Sequence, residues 1–214
     1  MKNYNLPNKL TISRLILVIP FIVCLTMYKV SISINNMGYE IYGRIFLGVS
    51  LLIFMVAMFT DYLDGHYARK NKTITEFGKL WDPLADKIIT TTALLFLVGF
   101  RMVPVWILLI HILRDLIVDG ARVVMAKYNI ELSASIWGKL KTLFLSFGII
   151  VVMGFYTGFS VDAHLIKHEN QTFQYWLDVI VNHSLNIFII LSVFFSIYSG
   201  VLYLKSIWPY LSQR

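Results

Sequence analysis

Six apolar stretches, near residues 15–30, 45–63, 83–100, 103–125, 140–160 and 183–204, decide what this 214-residue chain can fold into. Each approaches the roughly 20 residues that an α-helix needs to cross about 30 Å of hydrocarbon. Nothing the size of a soluble domain remains between them. With 57% of its residues hydrophobic and 14% charged, a soluble fold would have to expose apolar patches far larger than soluble monomers carry. In lipid, backbone polar groups must be paired within the chain, and helices do this segment by segment. The expectation is an all-α integral membrane bundle of six transmembrane helices, a single domain over 1–214. A short interfacial helix is expected over the N-terminal arm, 1–14, where Asn8, Thr11 and Arg14 are spaced three apart and share a face. No small-residue cleavage site follows the first stretch, which reads as a retained helix rather than a removed leader. The single cysteine, Cys24, excludes an intrachain disulfide.

An even number of spans puts both termini on one side. Lys and Arg gather at the stretch ends on that side, among them Lys9, Arg69, Lys70, Lys72, Arg122 and Lys127, against Lys29, Arg44, Arg101 and Lys167 on the other. The positive-inside rule makes the richer side cytoplasmic. The net charge of +7 therefore suits an anionic membrane surface. Nucleic acid is not an expected partner, since no soluble basic domain or nucleic-acid motif accompanies the charge. The segments 31–43 and 161–182 read as outer connections.

The second and third stretches carry acids where acids are expensive. The chain reads Asp61-Tyr-Leu-Asp64-Gly65-His66-Tyr-Ala68-Arg69 and, eight residues later, Gly78-Lys-Leu-Trp-Asp82-Pro83-Leu-Ala-Asp86. Helical spacing places Asp61, Asp64, Gly65 and Ala68 in one stripe and Gly78, Asp82 and Asp86 in another. Small residues interleaved with the acids leave room for a bulky ligand. Ionisable groups at membrane depth are functional hypotheses by default, and four carboxylates together call for compensating positive charge. All-oxygen ligation suits Mg²⁺, Mn²⁺ or Ca²⁺ rather than zinc or copper. Four carboxylates carry charge enough for two such ions, a pattern typical of phosphoryl chemistry. Pro83 either kinks its helix or is an ordinary membrane-helix proline. Thr73 and Glu76 match a capping box that starts the third helix near Ile74.

The pattern Asp-x2-Asp-Gly-x2-Ala-Arg-x8-Gly-x3-Asp-x3-Asp, complete over 61–86, resembles the signature of the CDP-alcohol phosphotransferase family. That resemblance implies a six-helix membrane fold, usually homodimeric, and transfer of a substituted phosphate from a CDP-linked donor to an alcohol with release of CMP. It further implies that Asp61, Asp64 and Asp82 ligate the metals, with Asp86 as general base also touching a metal. Gly65, Ala68, Arg69 and Gly78 would line the CDP site. The implied cofactor is Mg²⁺ or Mn²⁺, two ions per site.

Several further stretches, Pro7-Asn8-x-Leu-Thr11-x-x-Arg14, Phe77-Gly78 to Lys87, Arg114-Asp115-x4-Gly120-x-Arg122 and Gly138-Lys139-x-Lys141-Thr142, resemble the bacterial members that join CDP-diacylglycerol to sn-glycerol 3-phosphate. Where many of those have glutamate after the arginine, this chain has Asp115. Charge points the same way: Arg114 and Arg122 lie eight apart on one helical face, and Lys139 and Lys141 begin the fifth helix on the same membrane side. Such a cluster suits an acceptor bearing its own phosphate. Alternatively, Arg114 pairs with Asp115 or Asp119 and the lysines anchor the helix to the cytoplasmic surface. The expected partners are thus CDP-diacylglycerol, glycerol 3-phosphate, membrane lipid and a second copy of the chain, in the bacterial plasma membrane. Cardiolipin synthesis, inositol phosphate chemistry and divalent-cation transport are the alternatives. His66 and His111 read as packing or interface residues.

Overall fold

The computed structural model describes the backbone of residues 6–34, 37–71, 76–128, 135–158, 180–181 and 183–211. Within these, the side chains of 6–10, 37–39, 62, 64–71, 76–80, 82–83, 127 and 210–211 lie outside the described residues. The described chain is helical, without strands. Its long helices are α1 (Leu6–Ser33), α2 (Met37–Asn71), α3 (Glu76–Gly99), α4 (Val105–Lys127), α5 (Ile136–Gly158) and α6 (Ile187–Leu211). Thr73 of the expected capping box is not among the described residues.

Among the described residues four helical segments are long and apolar enough to cross a membrane: Thr11–Ser33, Glu40–Asp61, Ile136–Gly158 and Ile187–Pro209. The six-span expectation is therefore met in part. Helices α3 and α4 have the length but interrupt their apolar runs, α3 with Asp86 and Lys87, α4 with Arg114, Asp115, Asp119 and Arg122.

The separate interfacial helix expected over 1–14 is not seen as a distinct element, because α1 runs unbroken from Leu6 to Ser33. Pro7 stands in its first turn, where a missing N–H costs nothing, and no breaker lies between Lys9 and Leu15. The polar face predicted there turns inward: Thr11 and Arg14 are fully buried.

The chain divides into two compact units. The first holds α1, α2, α3 as far as Phe96 and the last turns of α5 from Ile150. Three contacts set α1 and α2 antiparallel. Near one end, a Cβ on Gly43 would lie 3.3 Å from that of Ser31. Midway, the buried rings of Phe21 and Phe54 lie 6.0 Å apart, and at the other end Arg14 meets Asp61. Large apolar side chains such as Ile16, Ile19, Leu52 and Phe59 cover the opposite faces, as expected of helices solvated by lipid rather than water.

The second unit holds α4, α5 as far as Ile149, and α6. Here Val118, Ala121 and Met125 of α4 form a buried cluster with Tyr203 and Ile207 of α6. His111 meets Ser192 and Arg114 meets Ser199, so the pairing advances along both helices and α4 runs parallel to α6. The entry to α4 is fixed by a Schellman turn. The Arg101 N–H donates to the Val98 carbonyl and the Met102 N–H to the Leu97 carbonyl, both at 2.9 Å, with Arg101 at φ 61 in the left-handed position. The buried Asn186 amide then donates to the Met102 carbonyl at 2.8 Å, tying that turn to the start of α6.

Helix α5 crosses α6 at Gly148, where a Cβ would come within 2.5 Å of Ile189 Cγ1 and 2.9 Å of its backbone nitrogen. Backbone cannot yield as a side-chain tip can. Gly148→Ala should destabilise the protein by about 1–3 kcal/mol, the usual range for overpacking. Thermal unfolding in detergent reads this out, and an unchanged midpoint would mean that the crossing is looser than its geometry.

Candidate active site

Of the signature residues, Asp61 and Asp86 have described side chains, and both belong to the first unit. Asp61 lies in the second half of α2, about 44% exposed, and its Oδ1 is 2.8 Å from Nη1 of Arg14. Arg14 has no exposed surface. A buried guanidinium is costly unless a carboxylate offsets it, and the antiparallel register of α1 and α2 delivers Asp61 to it.

Asp86 is part-buried on α3, beside the fully buried Ala85. One turn on, the Thr90 hydroxyl donates to the Asp86 carbonyl at 2.8 Å, holding that turn without engaging the carboxylate. The side chains of Asp64, Ala68, Arg69 and Asp82, with Gly65 and Gly78, lie outside the described residues. Among the described residues no three His, Cys, Asp or Glu gather as metal ligands.

The basic residues predicted on α4 and α5 fall in the second unit, where three of the four join one network. Arg114 Nη1 donates to Asp115 Oδ1 at 2.9 Å, and Lys141 Nζ reaches both Asp115 oxygens at 2.8 and 2.9 Å. Two largely buried cations thus share one carboxylate, leaving the trio with excess positive charge. Asp115, although one methylene shorter than glutamate, reaches both. Arg114 also donates Nε and Nη2 to the Ser199 hydroxyl at 3.0 and 2.7 Å, and its guanidinium carbon lies 6.0 Å from the centre of the Tyr203 ring. Exposed Arg122 adjoins the Tyr203 hydroxyl, which accepts from the Ser135 N–H at 3.3 Å. Lys139 is exposed and takes no part in the network. The pairing of Arg114 with Asp115, weighed from sequence as an alternative to phosphate binding, is present. The same pairing holds two cations side by side, which is what an oxyanion site requires.

His111 is buried, with Nε2 3.0 Å from the Ser192 hydroxyl, a packing role as expected. His66 lies outside the described side chains. Sequence reasoning missed the partners Ser199, Tyr203 and Ser135, and it missed the pairing of Arg14 with Asp61. Signals for both existed. Ser192, Ser196 and Ser199 line one face of an otherwise apolar helix and are all fully buried, and polar residues in such helices commonly bond across to a neighbour. Likewise, an arginine at the edge of an apolar run needs an acid near it.

The sequence model described as CDP-alcohol phosphatidyltransferase matches residues 4–198. A Mycoplasma pneumoniae protein named CDP-diacylglycerol–glycerol-3-phosphate 3-phosphatidyltransferase is 36% identical over 177 residues, covering 80% of this chain and 76% of that protein. Proteins of the same name from Bacillus subtilis and Rickettsia typhi are 38% and 35% identical over 139 and 151 residues. Those matches cover 65% and 70% of this chain, and 71% and 77% of the relatives.

Proposed function

The chain belongs to the CDP-alcohol phosphatidyltransferase family, and from that premise we propose that it transfers the phosphatidyl group of CDP-diacylglycerol to sn-glycerol 3-phosphate. The products are phosphatidylglycerophosphate and CMP. The observation that carries the choice of acceptor is the cation pair Arg114 and Lys141, held together on Asp115. It matches the phosphate that glycerol 3-phosphate brings and that an uncharged alcohol lacks. The relatives named above for this reaction support the same reading.

In the proposed reaction Asp86 accepts the proton of the attacking hydroxyl. The acceptor oxygen bonds to the phosphorus that carries diacylglycerol, the bond from that phosphorus to the bridging oxygen breaks, and CMP departs with that oxygen. Gly65, Ala68, Arg69 and Gly78 line the CDP site. Arg114, Arg122, Lys139 and Lys141 receive the acceptor phosphate. Asp61 suits a hard cation: its donors are oxygens, and its side chain is part-exposed beside Arg14. Two Mg²⁺ or Mn²⁺ ions held by Asp61, Asp64, Asp82 and Asp86 would neutralise the diphosphate and stabilise the leaving phosphate.

All six long helices are taken as spans. Helix α4 turns His111, Arg114 and Asp115 inward and presents Val105, Leu109, Leu113, Leu116 and Val123 outward, so the charges midway along it, Arg114 and Asp115, need not meet lipid. Its parallel course beside α6, itself apolar enough to span, carries it through the same slab. The positive-inside asymmetry sets both termini and the aspartates on the cytoplasmic side of a bacterial plasma membrane, and the protein works there as a homodimer.

Arg122→Ala should raise the Michaelis constant for glycerol 3-phosphate by roughly 10-fold, the lower end for losing a charge-assisted contact, with a much smaller effect on that for CDP-diacylglycerol. Steady-state kinetics in mixed micelles tests this, and an unchanged acceptor constant would remove Arg122 from the acceptor site.

A further inference from the structure

Arg114 is held on more sides than an ordinary ion pair requires. Its Nη1 donates to Asp115, while Nε and Nη2 converge on a single oxygen, the Ser199 hydroxyl. That hydroxyl is fully buried and gives its own proton to the Ser196 carbonyl at 3.1 Å. Both of its lone pairs therefore face the guanidinium. Two glycines make room for the arrangement: a Cβ on Gly138 of α5 would lie 3.1 Å from Arg114 Nη2, and one on Gly200 of α6 would lie 3.4 Å from Arg114 Cγ. A guanidinium has five N–H donors in a rigid plane. Among the described residues three are engaged, which leaves one on each terminal nitrogen for a further acceptor.

We propose that Ser199 is a positioning residue of the acceptor site, fixing the plane of the Arg114 guanidinium so that the remaining N–H on each terminal nitrogen is presented to the acceptor phosphate. This rests on the reading of Arg114 as a phosphate ligand. Asp115 fixes one end of the guanidinium and Ser199 the edge beside it. Without Ser199 the plane can turn about its bond to the side chain while the ion pair to Asp115 persists. Placement of a bidentate donor is what distinguishes arginine from a point charge, so the loss falls on acceptor binding.

The test is a double-mutant cycle on Michaelis constants for glycerol 3-phosphate and CDP-diacylglycerol, using Ser199→Ala, Arg114→Ala and the double variant, with thermal unfolding of each. Ser199→Ala should raise the acceptor constant roughly 10-fold, as expected for a hydrogen bond to a charged group, leaving the donor constant and unfolding midpoint near those of the parent. Arg114→Ala should raise the acceptor constant further, and adding Ser199→Ala to it should change nothing more. An acceptor constant that responds to Arg114→Ala but not to Ser199→Ala would overturn the positioning role while leaving the acceptor site intact. So would equal changes in both Michaelis constants, a lowered midpoint, or full additivity in the double variant. If Arg114→Ala leaves the acceptor constant unchanged, the reading of the acceptor site itself falls, and the role of Ser199 with it.

Discussion

Asp86→Asn is expected to lower turnover by about three orders of magnitude, within the range attributed to a positioned general base, while CDP-diacylglycerol still binds in the presence of Mg²⁺. Asparagine matches aspartate in shape but cannot take up the hydroxyl proton. The helix around it should survive, because the Thr90 hydroxyl bonds the Asp86 backbone carbonyl and not its carboxylate. Rapid-quench measurement of CMP formation, paired with a donor-binding assay on the same variant, separates the two properties. Donor binding lost together with turnover would make Asp86 chiefly a metal or donor ligand. Turnover within a few-fold of the parent would remove it from the chemistry.

A second large effect is expected where α1 meets α2. Asp61→Asn removes a counter-charge from an arginine with no exposed surface, and breaking a buried pair from that side typically costs about 3 kcal/mol or more. Arg14→Met should cost less, since the carboxylate left behind is half-exposed and can be hydrated. The variant carrying both changes should regain part of the lost stability, with a coupling of about 1–3 kcal/mol, as contacting pairs show. It should regain no activity, because Asp61 is assigned to the metal site. Thermal unfolding with CMP release on the three variants reads out both properties. Additive stabilities would mean that the ion pair contributes no coupling, and an active double variant would take Asp61 out of the metal site.

Much of this was legible in the sequence because it was local. The helices followed from runs of apolar residues, although α1 begins nine residues before its run and α2 extends eight beyond its own at each end, and the spacing of Asp61, Asp64, Asp82 and Asp86 carries the family signature. The break expected between Arg14 and Leu15 was not realised. Polar residues at a helix entrance suggest water, but Thr11 and Arg14 face a neighbouring helix instead, which one helix read alone does not reveal. For the same reason the partners of Arg114 stayed hidden. Ser199 lies 85 residues away, and its role depends on α4 and α6 running side by side. Asp115 illustrates a limit of another kind: the sequence offered ion pairing or phosphate binding as alternatives, whereas one carboxylate bridging two cations is compatible with both.

The proposed reaction is tested most directly by CMP release from detergent-purified protein given CDP-diacylglycerol and Mg²⁺ or Mn²⁺, with glycerol 3-phosphate, phosphatidylglycerol, inositol phosphate or no acceptor. Release that requires glycerol 3-phosphate, and stops when the metal is chelated, is the predicted result. Release that depends instead on phosphatidylglycerol or inositol phosphate, or that proceeds undiminished in chelator, would contradict it.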